Sequence, residues 1–309
     1  MSSRRFIALG TASQVPTRER NHNGYFLRWD AEGFLFDPGE GTQRQMIFAD
    51  VTASQITKIF ITHFHGDHCL GLAGVLQRLS LDRVPHAVQI FYPASGEKFI
   101  DNLSNASAYA NFARIERVPV AEEGEIYRSE DFAIEALRLD HSIESWGYRV
   151  KEHDGVSFLP EKLTALGVRG AAVGRLKREG RIEAGGRIVT IEECSVARAG
   201  QTFAFVMDTR LCLNAFRLAK DADLLVCEST YLAAETAEAI AHGHLTAAQA
   251  ARIAADSNAR LLVLTHFSQR YQKIKPFVEE ARVIHADTVA VRDGDFVDVP
   301  KRKQSGETE

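Results

Sequence analysis

The chain has 309 residues, of which 45% are hydrophobic and 25% are charged, and its formal net charge is −4. This composition is typical of a globular protein and excludes a disordered or fibrous one. Its apolar runs are shorter than the roughly 18–20 residues that cross a bilayer, so we expect no membrane span. Sequence-independent nucleic-acid binders are usually basic overall. Any contact with nucleic acid must therefore use positive charge that is concentrated locally.

The N-terminus and the cysteines predict a cytoplasmic protein. The first residues contain no long apolar segment followed by a small-residue cleavage site, so no signal peptide is expected. The cysteines include no CxxC pair and lie far apart, at positions 69, 194, 212 and 227. This usage favours reduced thiols in a reducing compartment.

Strand and helix patterns alternate along most of the chain. The first part predicts strands at residues 6–9, 25–29, 33–36 and 56–62, and a helix from about residue 42. The pattern resumes after residue 200, with strands predicted at 203–207, 223–227 and 260–265 and helices at 211–219, 233–241 and 246–256. Such alternation indicates an α/β protein.

Residues 151–200 interrupt this alternation and are rich in glycine and basic residues. Between Arg169 and Arg187, six Lys or Arg residues stand against two acidic residues. A solvated surface insertion would have this composition, and so would an arm that binds a polyanion. The residues alone leave both interpretations open.

The strongest local signal is the run Thr-His-Phe-His-Gly-Asp-His at residues 62–68, directly after a predicted strand. Neutral imidazoles and carboxylates are common zinc ligands, and the glycine allows the loop to fold back so that its side chains converge. We therefore predict a metal site. His63 and His65 would serve one ion, and Asp67 and His68 a second.

One loop cannot complete two metal sites, so further ligands are expected elsewhere. His141, Asp208 and His266 each follow an apolar strand pattern. Functional side chains gather at the carboxyl ends of strands in open sheets. We predict that these three residues join the loop.

Together, these motifs resemble the short form of the RNase Z (tRNA 3′-processing endonuclease) family, within the metallo-β-lactamase superfamily. The histidine-rich loop with the later His, Asp and His is typical of the whole superfamily. The narrower resemblance rests on further motifs in the family's order, among them Val-Pro-Thr-Arg-Glu-Arg-Asn at 15–21, Phe-Asp-Pro-Gly-Glu-Gly-Thr at 36–42, Asp-Thr-Arg at 208–210, Cys-Glu-Ser-Thr at 227–230 and Thr-His-Phe-Ser-Gln-Arg-Tyr at 265–271.

The resemblance implies a four-layer αββα metallo-β-lactamase sandwich. Residues 1–309 would form a single domain, with residues 151–200 inserted as a flexible basic arm, the tRNA-binding exosite. It also implies two Zn²⁺ per subunit. One ion would be held by His63, His65 and His141 and the other by Asp67, His68 and His266, with Asp208 bridging them.

The resemblance implies catalytic roles for three residues. Asp67 would orient the attacking water or accept its proton, and His244 would protonate the leaving 3′-oxygen. Glu228 would hold His244 in the correct tautomer, as carboxylates commonly do. His242 lies two positions from His244 and is an alternative acid. Asp37 is a further candidate for orienting a ligand histidine.

The implied activity is a zinc-dependent endoribonuclease that removes the 3′ trailer from precursor tRNA, leaving a 3′-hydroxyl on the tRNA and a 5′-phosphate on the trailer. Contacts to tRNA are expected from Arg175, Lys177, Arg178 and Arg270. In related enzymes the arm of one subunit serves the other, so a homodimer is expected. Alternatives are a phosphodiesterase of this fold that acts on small phosphodiesters or other RNAs, and a non-catalytic RNA-binding protein.

One position in the arm departs from the family pattern. Arms of this type usually contain a Gly-Pro pair, whereas this chain has Gly170 followed by Ala171. Replacement of proline by alanine loosens a turn, so we expect a less rigid arm with unchanged cleavage chemistry.

Overall fold

The computed structural model describes residues 4–302 of the chain, which divide into two compact units. The first contains residues 4–128, 133–150 and 202–300. The second contains residues 129–132 and 151–201, together with residues 301–302. None of the helices in residues 4–302 combines the length and the apolar character that a bilayer crossing requires.

The elements are numbered in chain order. Up to residue 120 they are β1 (Arg4–Gly10), β2 (Ala12–Ser13), β3 (Gly24–Trp29), β4 (Glu32–Phe36), α1 (Thr42–Phe48), β5 (Lys58–Phe60), α2 (Gly66–Cys69), α3 (Leu72–Leu81), β6 (Val88–Pro93), α4 (Glu97–Ser104) and β7 (Ile115–Val120). Up to residue 200 they are β8 (Gly124–Arg128), β9 (Phe132–Leu139), β10 (Ser145–Glu152), β11 (Gly155–Phe158), α5 (Pro160–Ala165), α6 (Ala171–Glu179), β12 (Arg181–Ala184), β13 (Arg187–Thr190) and β14 (Ser195–Arg198). The remainder are β15 (Thr202–Val206), α7 (Leu213–Ala219), β16 (Leu224–Glu228), α8 (Thr236–His242), α9 (Ala247–Asp256), β17 (Leu262–Thr265), β18 (Phe267–Ser268), α10 (Lys275–Arg282), β19 (Thr288–Ala290) and β20 (Phe296–Asp298).

Two seven-stranded sheets form the centre of the first unit. Their strand orders are β20-β1-β3-β4-β5-β6-β7 and β19-β17-β16-β15-β10-β9-β8. Aromatic side chains fill the space between them: the rings of Phe36 and Phe205 lie 4.6 Å apart, and those of Phe60 and Tyr148 lie 5.0 Å apart. The central strands β15, β16 and β17 are buried along their whole length, as expected where both faces of a sheet are covered.

Helices cover the outer face of each sheet. Leu72, Val75 and Leu79 of α3 pack in one apolar cluster with Ile59 of β5. On the other side, residues of α7, α9 and α10 pack in a second cluster with β16 and β17. The order of layers is therefore helix, sheet, sheet, helix, and the predicted metallo-β-lactamase sandwich is confirmed.

Several predicted elements differ from the structure at their ends. The strand predicted at 56–62 covers only Lys58–Phe60, and beyond its carboxyl end the backbone N–H of Thr62 donates to the side chain of Asp37 instead of joining the sheet (2.7 Å). The helix predicted from residue 211 begins at Leu213, since Cys212 is still extended. The helix predicted from residue 233 opens with one 3₁₀ turn, Ala233–Glu235.

The second unit has its own small core. Strand β11 pairs with β14, and β12 pairs with β13, both antiparallel. The side chains of Leu163, Leu176 and Val189 are buried in one cluster formed by α5, α6 and these strands. Ala171 is the first residue of α6 and follows Gly170, whose φ of 55° favours glycine. The alanine that replaces the expected proline therefore occupies a first helical position, which proline also tolerates.

Candidate metal centre and active site

The histidine-rich loop leaves the end of β5 and runs directly into α2. His63 and His65 lie in the loop, and Asp67 and His68 lie in the single turn of α2. Because α2 begins at Gly66, directly after His65, the four side chains lie close together, and the rings of His63 and His68 are 4.2 Å apart. These residues come from the first sheet.

The remaining predicted ligands follow strands of the second sheet. His141 follows β9, Asp208 follows β15, and His266 connects β17 to β18. Asp208 and His266 have φ angles of 38° and 62°, in the left-handed region. Side chains other than glycine are rarely held in this region, and such residues cluster at functional sites.

Four of these side chains form one group of possible ligand atoms. His65 Nδ1 lies 3.0 Å from His63 Nε2 and 3.2 Å from His141 Nε2. Asp208 Oδ2 lies 3.6 Å from His63 Nε2 and 3.8 Å from His141 Nε2. All four ligand atoms fit within 4.8 Å of one another.

A second group lies on the other side of Asp208. Asp67 Oδ2 is 3.4 Å from His68 Nε2 and 3.8 Å from His266 Nε2. Asp208 Oδ2 is 3.4 Å from His68 Nε2, and Asp208 Oδ1 is 3.2 Å from His266 Nε2. The structure thus brings all seven predicted ligands together, with Asp208 in the first group and next to His68 and His266 of the second.

The donor set fits metal ions. Asp208 Oδ1 and His266 Nε2 are buried and have no hydrogen-bond partner among the described residues, which is uncommon for buried polar atoms. Nitrogen and carboxylate oxygen atoms at this spacing are suitable ligands for zinc. The cluster is therefore capable of binding metal.

Burial and neighbouring charges shift the pKa values of these groups. Burial lowers the pKa of His63, His65 and His141, and so favours the neutral imidazole that binds metal. Burial also disfavours charge on His68, but the surrounding carboxylates outweigh it and raise the pKa of this ring well above its usual value. Burial opposes ionisation of Asp67 as well, yet the neighbouring imidazoles lower its pKa.

His244 and Glu228 form a hydrogen-bonded pair beside the two groups. His244 Nδ1 lies 3.1 Å from Glu228 Oε1. The His244 ring is 5.4 Å from the rings of both His141 and His266. Burial lowers the pKa of His244, but the carboxylates of Glu228 and Asp208 outweigh it and raise this pKa to about 9. His242, the alternative acid, is exposed.

A cavity of about 590 Å³ opens above these residues. Its lining includes Asp67, Asp208, His244 and Arg270. The guanidinium of Arg270 lies over the ring of Tyr231, 4.9 Å from its centroid. The other predicted tRNA contacts, at positions 175, 177 and 178, are exposed on the second unit and make no ion pair with a described residue.

Side-chain and backbone groups behind the predicted ligands hold them in place. Asp37 Oδ2 lies 2.9 Å from His68 Nδ1, so the candidate orienting residue does contact a predicted ligand. The Gly243 carbonyl accepts a hydrogen bond from His141 Nδ1 (2.9 Å). The backbone N–H of Gln14, which has a φ of 60°, donates to Asp67 Oδ2 (2.9 Å). The Gln14 contact was not predicted, because nothing in the local sequence marks a backbone donor.

Two threonines were also missed. Thr62 Oγ1 lies 2.9 Å from His63 Nδ1, and Thr230 Oγ1 lies 2.8 Å from His266 Nδ1. Both residues belong to sequence motifs of the family, Thr62 at the start of the histidine-rich loop and Thr230 at the end of Cys-Glu-Ser-Thr. The position of each threonine within a motif is the sequence signal that could have identified it.

Comparison with known proteins agrees with this geometry. Residues 17–159 match the metallo-β-lactamase superfamily, and residues 177–267 match a β-lactamase superfamily domain. Ribonuclease Z of Streptomyces coelicolor is 53% identical over 305 residues, which is 98% of this chain and 100% of that protein. Ribonuclease Z of Chlamydia pneumoniae is 44% identical and covers 92% of each chain.

A solved structure gives the same result. The crystal structure of human tRNase Z, short form, superposes with a TM-score of 0.68 at 28% identity, covering 96% of this chain and 99% of that chain. The alignment with each of these two bacterial proteins covers more than nine-tenths of this chain and of the relative. The resemblance seen in the motifs is confirmed: the chain belongs to the ribonuclease Z family and has the metallo-β-lactamase fold.

Proposed function

We propose that the protein is a zinc-dependent endoribonuclease that removes the 3′ trailer from precursor tRNA, leaving a 3′-hydroxyl on the tRNA and a 5′-phosphate on the trailer. One observation carries the proposal. In a chain of the ribonuclease Z family, Asp208 lies within 3.8 Å of ligand-type side chains in two groups, and the hydrogen-bonded pair of Glu228 and His244 lies beside them.

The proposal assigns two Zn²⁺ to these groups. His63, His65 and His141 would hold one ion, Asp67, His68 and His266 the other, and Asp208 both. Bound in pairs, such ions lower the pKa of water and stabilise charge that develops on phosphate oxygens. Asp208 Oδ1 and His266 Nε2 support this assignment, because both atoms are buried and have no hydrogen-bond partner among the described residues.

Two side chains are proposed to move protons. Asp67 is held by the Gln14 N–H through Oδ2, and we assign it the role of orienting the attacking water or accepting its proton. His244 is bonded to Glu228 through Nδ1. Its Nε2 is therefore the nitrogen left to protonate the leaving 3′-oxygen, and Glu228 keeps the ring in the tautomer and orientation for this step.

The substrate contacts are part of the same proposal. Arg270, positioned on Tyr231 at the cavity, would bind a phosphate near the scissile bond. Residues 151–200 would act as a tRNA-binding arm inserted in a single domain of residues 1–309, and Arg175, Lys177 and Arg178 would contact the phosphates of the folded tRNA. The homodimer and the cytoplasmic location stay predictions.

The test is cleavage of a 3′-extended tRNA transcript by the purified protein, with the product ends mapped. We expect one cut at the 3′ side of the acceptor stem, its loss on chelation and its return on adding zinc. Asp208→Asn should abolish cutting, whereas Asp287→Asn, the same change at an exposed position, should not. Scattered cuts or full activity in excess chelator would refute the proposal.

A further inference from the structure

Two buried carboxylates hold threonines in the same way on the two sides of the centre. Asp37 Oδ1 accepts the backbone N–H of Thr62 (2.7 Å), and Asp37 Oδ2 accepts its hydroxyl (2.7 Å). Glu228 Oε2 accepts the backbone N–H of Thr230 (3.3 Å) and its hydroxyl (2.7 Å). All four side chains are buried. The arrangement is repeated although the residues belong to different sheets.

Each threonine hydroxyl also meets a histidine. Thr62 Oγ1 is 2.9 Å from His63 Nδ1, and Thr230 Oγ1 is 2.8 Å from His266 Nδ1. A hydroxyl has one proton, and a carboxylate can only accept. The threonine proton must therefore point to the carboxylate, because otherwise two oxygens would face each other without a proton. It follows that the imidazole donates from Nδ1 to the hydroxyl oxygen.

Donation from Nδ1 leaves the lone pair on Nε2 of His63 and of His266 directed towards the two groups of ligand atoms. His266 Nε2 is buried, has no hydrogen-bond partner among the described residues, and lies 3.2 Å from Asp208 Oδ1. His63 Nε2 lies 3.6 Å from Asp208 Oδ2. The two threonine-held histidines thus face different oxygens of the same carboxylate, one in each group of ligand atoms.

We propose that Thr62 and Thr230 are positioning residues, each of which relays the charge of a carboxylate through its hydroxyl and keeps one histidine protonated on Nδ1 and open to metal on Nε2. The inference rests on the metal centre of the proposed function. Asp37 also contacts His68 directly, and Glu228 contacts His244. Each carboxylate would therefore organise two imidazoles, one directly and one through a threonine.

The first experiment compares the valine and serine variants of each threonine. Thr62→Val and Thr230→Val keep the shape of the side chain and remove the hydroxyl, whereas Thr62→Ser and Thr230→Ser keep the hydroxyl. Zinc affinity is measured by competition with a chromophoric chelator. We expect about 10–100-fold weaker binding of one ion in each valine variant, the usual effect of losing such a partner, and near-normal binding in the serine variants. Valine variants that bind both ions normally, or serine variants that are equally impaired, would overturn the proposal.

The second experiment needs no variant and so does not depend on whether one folds. Long-range ¹H–¹⁵N correlation spectra of the zinc-loaded wild-type protein report which nitrogen of each imidazole carries the proton. We expect Nδ1–H for His63 and His266, and Nε2–H for either would refute the relay. If the protein binds zinc and cuts the tRNA transcript but shows the other tautomer, the inference alone fails. If it binds no zinc, the proposed function fails with it.

Discussion

Glu228→Gln is the sharpest single perturbation of the site, because it removes a charge while keeping the shape. Glu228 accepts hydrogen bonds from the N–H of Thr209 (2.8 Å), from the N–H and O–H of Thr230 (3.3 and 2.7 Å) and from His244 Nδ1 (3.1 Å). Glutamine replaces one accepting oxygen by a donating NH₂ group. Whichever oxygen is replaced, a buried backbone N–H then faces another donor.

The less costly orientation places the NH₂ group against Thr230, because the hydroxyl can turn and accept. The backbone N–H of Thr230 then loses its partner, so we expect a loss of about 1–3 kcal/mol in the free energy of unfolding. The hydroxyl, once turned, donates towards His266 Nδ1 and opposes the proton there. We expect kcat for tRNA cleavage to fall about 10–100-fold, the range found for partners that orient ligands.

Unfolding of the metal-free protein in urea and single-turnover cleavage of the extended transcript measure the two effects. Glu122→Gln is the matched control, since Glu122 is exposed and a surface change of this kind stays within about 0.5 kcal/mol. A Glu228→Gln protein with wild-type stability and a kcat within twofold of wild type would show that neither the buried bonds to Thr230 nor the proton on His266 Nδ1 has the importance given to them.

Three further predictions concern other parts of the molecule. Asp67→Ala should lower the turnover of precursor tRNA by orders of magnitude while filter binding shows nearly unchanged affinity; near-normal turnover would contradict its assigned role. Changing Arg175, Lys177 and Arg178 together to glutamine should weaken tRNA binding and reduce the slope of log affinity against log salt by about 2–3, since each phosphate contact contributes roughly 0.7–0.9, but spare hydrolysis of a small phosphodiester; an unchanged slope would exclude these side chains as phosphate contacts. Ala171→Pro should stabilise the second unit by about 0.4–1 kcal/mol, seen as slower limited proteolysis there; faster proteolysis would show that α6 does not accept proline at its first position.

The sequence predicted which ligand-type residues come together because their signals are local. His63, His65, Asp67 and His68 lie within one loop, and a histidine or aspartate directly after an apolar strand can be recognised without knowing where the strand goes. The fold followed from the order of strands and helices together with the family motifs. These parts of the prediction need only short-range patterns.

The contacts of Thr62 and Thr230 behind the predicted ligands could not be predicted in the same way. The contact of Thr62 with Asp37 joins residues 25 positions apart, and it exists only because β4 and β5 are parallel neighbours in the first sheet. The contact of Thr230 with His266 depends in the same way on the pairing of β16 with β17. Threonine is also a common strand residue, so its presence there signals nothing unusual. The carboxyl end of β5 could not be predicted either, because it depends on a contact between distant residues. There, the side chain of Asp37 takes the place of a sheet partner for the backbone N–H of Thr62.

The ligand groups lie where the two sheets meet, and this has a thermodynamic consequence. His63, His65, Asp67 and His68 come from the first sheet, and His141, Asp208 and His266 come from the second. An ion held by both sets binds only when the sheets are docked, so its binding free energy adds to the work needed to separate them. At a free zinc concentration 100 times the dissociation constant, each such ion would add about 2.7 kcal/mol. The protein would then be most resistant to unfolding in the state in which it is competent for chemistry.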